Sequence, residues 1–508
     1  MRLFVTLPAC LVLFAGSAAR AADVVDTRVT FTVADDDVMR GPQRSSTGSP
    51  SVPNSIPTRA NRLFFDDFER RDTGFENLTH FVLYVHQPGF FEGLDTEAAV
   101  VMRTEWLQTK GVSITEDGSY LKLTKVFGEH KLRIVAFPLN TDRFRLGYSY
   151  NISWGGSRIF TPATDTQATP GLRLEYETGG VYAFLGAKTA LRPLKQSDGA
   201  IEQDTVYGVL GGAGIDVVDE LRLEGGAGYF YRGNIDKQEL TVQDGKGRFK
   251  TARWDAFGGS AQIVYHVGIP IGVPVDFRLY KNDPLLKENF FNPEPYNDGI
   301  SFLVQSEISV LGQTLQNMER PTTTSIQHAV AGDFTARLKV GKTRVNLLAV
   351  YRDLAFILFN VPSTPNFMTF PKGVRVQPDL FLSTGADYYI EAAHLTPGII
   401  FGVQRPANIT TAVSAGANPP ASLQQQTVVW RNETQTNMLD PGDAVGLIYA
   451  VKGTFKWDLS EVISTIGEVS FQYDPNLTTF EQDPDGIPIR KAQSPEIIGF
   501  NLLMQARF

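Results

Sequence analysis

Cysteine is almost absent from this sequence, since Cys10 is the only one in 508 residues. It lies in an N-terminal segment that we expect to be removed, and the remaining chain then has no disulfide, thiolate metal site or cysteine nucleophile. The chain also lacks an excess of basic residues, because its formal net charge is -8 at pH 7. An acidic chain without a basic patch is not expected to bind nucleic acid.

Long apolar runs are missing as well. Hydrophobic residues make up 42% of the chain, yet beyond the N-terminal segment no run reaches the roughly 18 apolar residues of a membrane-spanning helix. This excludes a helical membrane protein. The apolar residues are dispersed, and the length of 508 residues suits either several soluble domains or one barrel of many strands. The composition favours the barrel.

The segment Met1 to Ala21 has the parts of a signal peptide. An arginine stands near its start, Leu3 to Ala15 form an apolar core, and Ala19-Arg20-Ala21 fits the small-x-small cleavage rule. We therefore expect export, with residues 22–508 forming one barrel domain. Loss of the two arginines of the segment leaves a formal charge of -10 on the mature chain.

The last thirteen residues, Glu496 to Phe508, alternate between apolar and other residues. From Ile498 onward every second residue is apolar, which predicts a strand of about ten residues with one apolar face. This ending resembles the closing strand of bacterial outer-membrane β-barrels, whose terminal Phe is recognised by the barrel assembly machinery. The resemblance implies that Phe508 is an assembly signal and that its deletion strands the protein in the periplasm.

The same alternation recurs along the chain, and it is clearest from Phe144 to Trp154. Ten steps of about 3.3 Å give roughly 33 Å, and a tilt near 40 to 45° projects this to about 23 to 25 Å, the height of a barrel's lipid band. We therefore predict a wall strand there. The expected fold is all-β, a transmembrane antiparallel β-barrel of about 18 strands, with a range of roughly 16 to 20.

The connections between predicted strands alternate short with long, which is typical of periplasmic turns and extracellular loops. The expected short turns lie at residues 178–180, 216–220, 268–272 and 458–462, and the expected long loops at 155–171, 233–250, 282–298, 405–443 and 474–495. A predicted strand, Val273 to Tyr280, separates two of these. The count leaves two conflicts. Ile300 to Val310 and Val330 to Val340 run in the same direction, and the tight junction from Phe127 to His130 causes a similar conflict. Either a strand is hidden between Leu311 and Ile326, or one turn is wrong.

The polar face of each predicted strand identifies candidate residues of the barrel interior. These pore-lining candidates are Arg145, Arg173, Glu175, Glu177, Arg222, Glu224, Asp276, Arg278, Glu307, Arg337, Lys339 and Arg344. Both signs of charge occur, so two interpretations stay open. The charges set the field of a water-filled pore, or they form a salt-bridge lattice that fills the interior.

Catalytic and metal-binding patterns are lacking. None of the six histidines, His80, His86, His130, His266, His328 and His394, has the spacing of a zinc motif such as HExxH. The acidic stretches Asp35-Asp36-Asp37 and Asp483-Pro484-Asp485-Gly486 do not supply the ligand series of an EF-hand. We expect no enzyme activity, no metal site and no cofactor.

Two local patterns stand out within the predicted barrel. Leu354 to Phe359, with the sequence LAFILF, abandons alternation, so it either packs under an inward-folded loop, meets a partner or ends a strand in the aromatic girdle. Glycine pairs occur on three consecutive strands, Gly211-Gly212, Gly225-Gly226 and Gly258-Gly259. They indicate either strand curvature or clearance for an inward loop, for which we considered Asp35 to Gly74 and Asn282 to Asp298.

The sequence thus favours an outer-membrane channel for passive diffusion of small polar solutes. The alternative is a barrel that serves as one component of a larger envelope assembly, in polysaccharide export, surface adhesion or trans-envelope machinery. The expected partners are outer-membrane lipid, the barrel assembly machinery, small polar solutes and, under the alternative, other envelope proteins.

Overall fold

A computed structural model gives the fold. The structure describes residues 26–35, 38–39, 76–107, 111–116, 118–141, 144–147, 149, 152–156, 168–195, 201–234, 241–243, 249–251, 253–269, 271, 299–320, 323–360, 369–370, 373–412, 424–429, 436–482 and 488–507. The expected signal peptide and Phe508 lie outside these residues, so both remain predictions. No helix in the described part of the chain is long and apolar enough to cross a membrane.

One large antiparallel sheet contains most of the strands. They are β1 (Asp26–Asp35), β2 (Glu76–Pro88), β3 (Leu94–Leu107), β4 (Gly111–Glu116), β5 (Tyr120–Phe127), β6 (His130–Phe137), β7 (Gly171–Thr178), β8 (Val181–Lys195), β9 (Ile201–Val218), β10 (Leu221–Asn234), β13 (Arg253–Val267), β14 (Ile300–Gln316), β15 (Thr324–Val340), β16 (Thr343–Arg352), β18 (Asp379–Tyr388), β19 (Leu395–Arg405), β23 (Ile448–Asp458), β24 (Ile463–Tyr473) and β27 (Glu496–Arg507).

The sheet closes on itself, because β27 pairs with β1 as well as with β24. Its 19 strands make 18 strands of wall, since β4 and β5 are two halves of one wall strand that both pair with β3. At the break between the halves, the Ser119 hydroxyl accepts a hydrogen bond of 3.0 Å from the Val101 amide, which keeps that backbone group paired. The prediction of an antiparallel barrel of about 18 strands is confirmed.

The outer face of the wall is apolar and its inner face is polar, which is the reverse of a sheet around a soluble core. On β14, the inward Glu307 and Ser309 are buried, whereas the outward Ile308 and Val310 are 50% and 46% exposed. The same alternation of buried polar and exposed apolar side chains recurs on β7 and β13. A barrel with an apolar outer surface is stable where its surroundings are hydrocarbon.

The two ends of the barrel differ in their connections. At one end all connections but 268–299 are short turns, at residues 89–93, 128–129, 179–180, 219–220, 341–342, 389–394 and 459–462. At the other end stand the longer connections 36–75, 138–170, 235–252, 353–378, 406–447 and 474–495. This matches the predicted asymmetry of short turns and long loops.

One predicted turn was wrong, and it explains the first conflict in the strand count. β13 pairs directly with β14, so residues 268–299 form a single connection at the end with the short turns. The short turn expected at 268–272 and the outside loop expected at 282–298 are therefore not separate connections. No hidden strand follows Leu311, because β14 continues to Gln316 and β15 begins at Thr324. The predicted strand Val273 to Tyr280 lies outside the described residues.

The remaining elements belong to the connections. They are the hairpin β11 (Thr241–Gln243) and β12 (Phe249–Thr251), the helix α1 (Leu354–Asn360), the sheet of β17 (Arg375–Gln377), β20 (Asn408–Ala412), β21 (Gln424–Val429) and β22 (Thr436–Met438), a 3-10 helix (Glu391–Ala393), and the hairpin β25 (Thr478–Gln482) and β26 (Pro488–Ala492). Four of the five groups, all except the 3-10 helix, stand at the end with the long connections.

The paired glycines of neighbouring wall strands differ in the space around them. A methyl group built on Gly258 would lie 2.0 Å from the Val310 carbonyl oxygen. A methyl group built on Gly225 of the adjacent strand would lie 3.6 Å from its nearest atom, the Ser260 carbonyl oxygen. We expect Gly258→Ala to reduce the yield of heat-modifiable barrel several-fold and Gly225→Ala to leave it unchanged. Equal yields of the two variants on gels run with and without heating would contradict this.

Candidate functional site

The described part of residues 138–170, which connects β6 and β7, lies inside the barrel, and we call it the inner loop. Its backbone folds back on itself: Leu146 and Trp154 exchange two hydrogen bonds of 2.9 Å. Gly147 has φ of +108° within this fold-back, a conformation that favours glycine. The wall strand predicted for Phe144 to Trp154 is therefore wrong, because this segment pairs with itself.

The apolar residues that suggested a strand bury themselves against the inner wall instead. Phe144, Leu146, Ile152 and Trp154 are all no more than 1% exposed. The Trp154 ring meets the Phe230 ring edge-on with centroids 5.5 Å apart. Their alternation thus reflects burial of one face of the inner loop and not contact with lipid.

Two inward glycines of β10 make room for this packing. Methyl groups built on Gly226 and Gly228 would lie 3.0 and 2.6 Å from the Leu146 side chain. Clearance for an inward loop, one of the two explanations offered for the glycine pairs, therefore applies here. The loop that packs against these glycines is the inner loop. The two segments named above, Asp35 to Gly74 and Asn282 to Asp298, lie almost entirely outside the described residues, so their inward folding stays a prediction.

Lys188 on β8 holds both arms of the inner loop. Its ammonium group donates a hydrogen bond of 2.8 Å to the Phe144 carbonyl and another to the Gly155 carbonyl. The side chain is buried and lies over the Phe230 ring, with Nζ 5.5 Å from the ring centroid. One wall cation thereby joins the two arms to each other and to the wall.

The tip of the inner loop is attached to the wall by two carboxylates. The Ser149 amide donates a hydrogen bond of 2.6 Å to Glu307, and the Ser149 hydroxyl donates one of 2.9 Å to Asp333. Glu307 and Asp333 stand opposite each other in the register of β14 and β15. Because Lys188 lies on β8, the attachment points span several wall strands, and the inner loop crosses part of the lumen.

Helix α1, in the connection between β16 and β18, belongs to the same apolar cluster. Leu354, Ala355, Phe356 and Ile357 are buried in one cluster with the apolar residues of the inner loop and wall. The strand end expected in the aromatic girdle for LAFILF is wrong, and the segment packs inside the barrel. The side chain of Phe359 lies outside the described residues. The inner loop and α1 together narrow the interior.

Most of the predicted interior residues do face inward. On the inner face of the wall stand Arg173, Glu175, Glu177, Arg222, Glu224, Glu307, Arg337, Lys339 and Arg344. Arg145 is on the inner loop, where it donates a hydrogen bond of 2.8 Å to the Ser153 carbonyl. Asp276 and Arg278 lie outside the described residues.

Ion pairs along the wall engage many of these charges. The pairs are Arg173–Glu175 at 2.5 Å, Arg133–Glu177 at 2.6 Å, Arg222–Asp216 at 2.5 Å, Arg344–Asp387 at 2.7 Å and Lys452–Glu468 at 3.3 Å. These contacts favour the salt-bridge lattice among the two interpretations of the interior charges. Pairing charges with one another is how a narrow interior of low dielectric can hold them.

Sequence reasoning missed the two wall residues that matter most to the inner loop, Lys188 and Asp333. Each belongs to the inward row of its strand, so alternation alone would have included it. The partners of both residues are far away in the sequence and could not be read from it. Among the described residues, no group of three or more His, Cys, Asp or Glu could hold a metal ion.

The chain is similar to several solved structures. Pseudomonas aeruginosa OpdL is 8% identical with a TM-score of 0.43, over 95% of this chain and 97% of that one. Acinetobacter baumannii OccAB2 is 7% identical with a TM-score of 0.45, over 96% and 97%. A BenF-like porin from Pseudomonas fluorescens Pf-5 is 6% identical with a TM-score of 0.42, over 96% and 98%. No protein-family model and no curated protein matches the chain.

Proposed function

We propose that this chain is a channel of the bacterial outer membrane through which small polar solutes diffuse passively. The observation that carries the proposal is the closed barrel, whose exposed outer face is apolar and whose inner face holds the charged side chains. Such a wall separates a polar interior from hydrocarbon, which is the physical requirement for moving a polar solute across a bilayer.

The inner loop supports a limit on solute size. It is attached to the wall at Lys188 on one side and at Glu307 and Asp333 on the other. A passage narrowed by an attached loop admits small solutes and excludes large ones. The pore-lining candidates of both signs favour polar solutes, because their ion pairs offer hydrogen-bonding atoms of either kind along the wall.

Reconstitution into a planar lipid bilayer tests the proposal. We expect the purified barrel to produce discrete, repeated steps of current without any other protein. In a liposome-swelling assay with sugars of increasing size, we expect entry of the small sugars and exclusion of the large ones. As the control, the same preparation is heat-denatured before reconstitution, and the steps of current must then be absent.

Silence in the bilayer would count against the channel. If the folded barrel conducted no current and other envelope proteins co-purified with it, the alternative of a barrel within a larger envelope assembly would replace the proposal. Folding is monitored separately by heat-modifiable migration, so a silent but folded barrel is distinguished from a denatured one.

A further inference from the structure

A groove on the outer surface of the barrel is not used by the proposed channel. It encloses about 370 Å³ across β2, β3, β5 and β6, within the range of roughly 300 to 1,000 Å³ typical of small-molecule sites. Its floor is formed by the small outward residues Thr96, Ala98 and Ala136, and its sides include Leu121 and Leu123. The groove therefore faces the surroundings of the barrel and not the lumen.

The surface of the groove is apolar even where its residues are not. The Thr96 hydroxyl donates a hydrogen bond of 2.8 Å to the Gln87 carbonyl, so this donor is used within the wall. Leu121 and Leu123 stand 54% and 45% exposed beside the floor. An apolar concavity is suited to a hydrocarbon chain, which fills it without losing any hydrogen bond.

One end of the groove carries a positive charge. Lys125 follows Leu123 on the same outward row of β5, one step closer to the short-turn end of the barrel. Its ammonium group donates a hydrogen bond to the Glu92 carbonyl in the turn 89–93, which fixes the charge at the rim. In that turn Phe90 is fully exposed and Phe91 is 73% exposed. Exposed aromatic and basic residues at the rim are typical of the membrane interface.

We propose that this groove binds one acyl chain of a phospholipid of the periplasmic leaflet, with the lipid phosphate beside Lys125. The proposal rests on the proposed function, because it requires the barrel to span the outer membrane with its short turns in the periplasm. The charge at the rim selects the occupant: a phosphate complements Lys125, and an acyl chain extends from it into the apolar part of the groove.

Native mass spectrometry of the barrel released from membranes in mild detergent tests the proposal. We expect the unaltered protein to retain one phospholipid. Ala98→Leu fills the floor and Lys125→Ala removes the charge, and each is expected to lower the retained fraction several-fold. Ala386→Leu is the matched control, because it makes the same change at an outward position of β18. After delipidation, added phosphatidylethanolamine should rebind, and uncharged diacylglycerol should not.

Three results would overturn the proposal. They are equal lipid retention by the two groove variants and the Ala386→Leu control, binding of detergent only, and a doubled mass that shows a second copy at the groove. Folding is checked by heat-modifiable migration and conductance in a planar bilayer. A folded barrel that conducts no current but still retains its phospholipid would contradict the channel function and support the lipid site. The two failures are therefore distinguishable.

Discussion

Replacing Lys188 with methionine is expected to raise the single-channel conductance several-fold. Lys188 donates hydrogen bonds to the Phe144 and Gly155 carbonyls, one on each arm of the inner loop. A hydrogen bond to a charged group contributes about 1.5 to 3 kcal/mol, so losing two of them shifts the balance between attached and released loop by roughly a hundredfold or more. Methionine keeps most of the side-chain volume, so the wall itself stays packed.

The control for this variant is Lys131→Met. Lys131 also faces inward and pairs with Glu177 at 3.1 Å, but it has no described contact with the inner loop. Both variants remove one positive charge, so a change in charge alone would affect them alike. Conductance is measured in planar bilayers. The position of the inner loop is measured by maleimide labelling of a cysteine introduced by Ile152→Cys, and Cys10 is the only native cysteine. Unchanged maleimide labelling and conductance in Lys188→Met would show that other contacts hold the loop.

The barrel could be predicted from the sequence because its physical basis is local. A wall strand between water and hydrocarbon must alternate, so the pattern is visible within ten residues, as in β14 and in the closing strand. The number of strands followed from length and from the need for an even count. The prediction of about 18 strands, which the structure confirms, thus required no knowledge of distant contacts.

The inner loop could not be recognised, because alternation does not say what covers the apolar face. Phe144, Leu146, Ile152 and Trp154 alternate as a lipid-facing strand would, yet they are covered by the inner wall. The turn that contradicts a strand depends on Gly147, and a single glycine within a strand pattern is also read as a bulge. Only the contacts of the segment distinguish the two structures.

The attachment of the inner loop depends on pairs of residues that are far apart in the sequence. Ser149 bonds to Glu307 and Asp333, which are 158 and 184 residues away. Whether inward charges pair along the wall depends on the register between strands, which alternation does not give. The list of interior residues was therefore largely attainable from the sequence, and their partners were not.

Helix α1 is the second element that narrows the interior, and its position has a clear physical cause. Its sequence lacks the alternation of a strand, and its first four side chains are all buried. Asp353, just before the helix, continues the pairing of β16 with β15. Its amide donates a hydrogen bond of 2.9 Å to the Val330 carbonyl, and its carboxylate accepts one of 2.9 Å from the Val330 amide. The chain is thereby directed back over the inner wall, where a short helix satisfies its own backbone.

Replacing both Phe356 and Ile357 with alanine is expected to release α1 from the wall and to increase conductance several-fold. Truncating a buried Phe or Ile costs about 2 to 5 kcal/mol, and a helix of seven residues has no stability of its own to offset that loss. The control carries Val345→Ala and Leu347→Ala on β16, where both side chains point outward to lipid and are 40% and 36% exposed. Planar-bilayer recordings and solute exclusion in liposomes measure the outcome. If the Phe356 and Ile357 variant folds and conducts like its control, α1 does not narrow the passage.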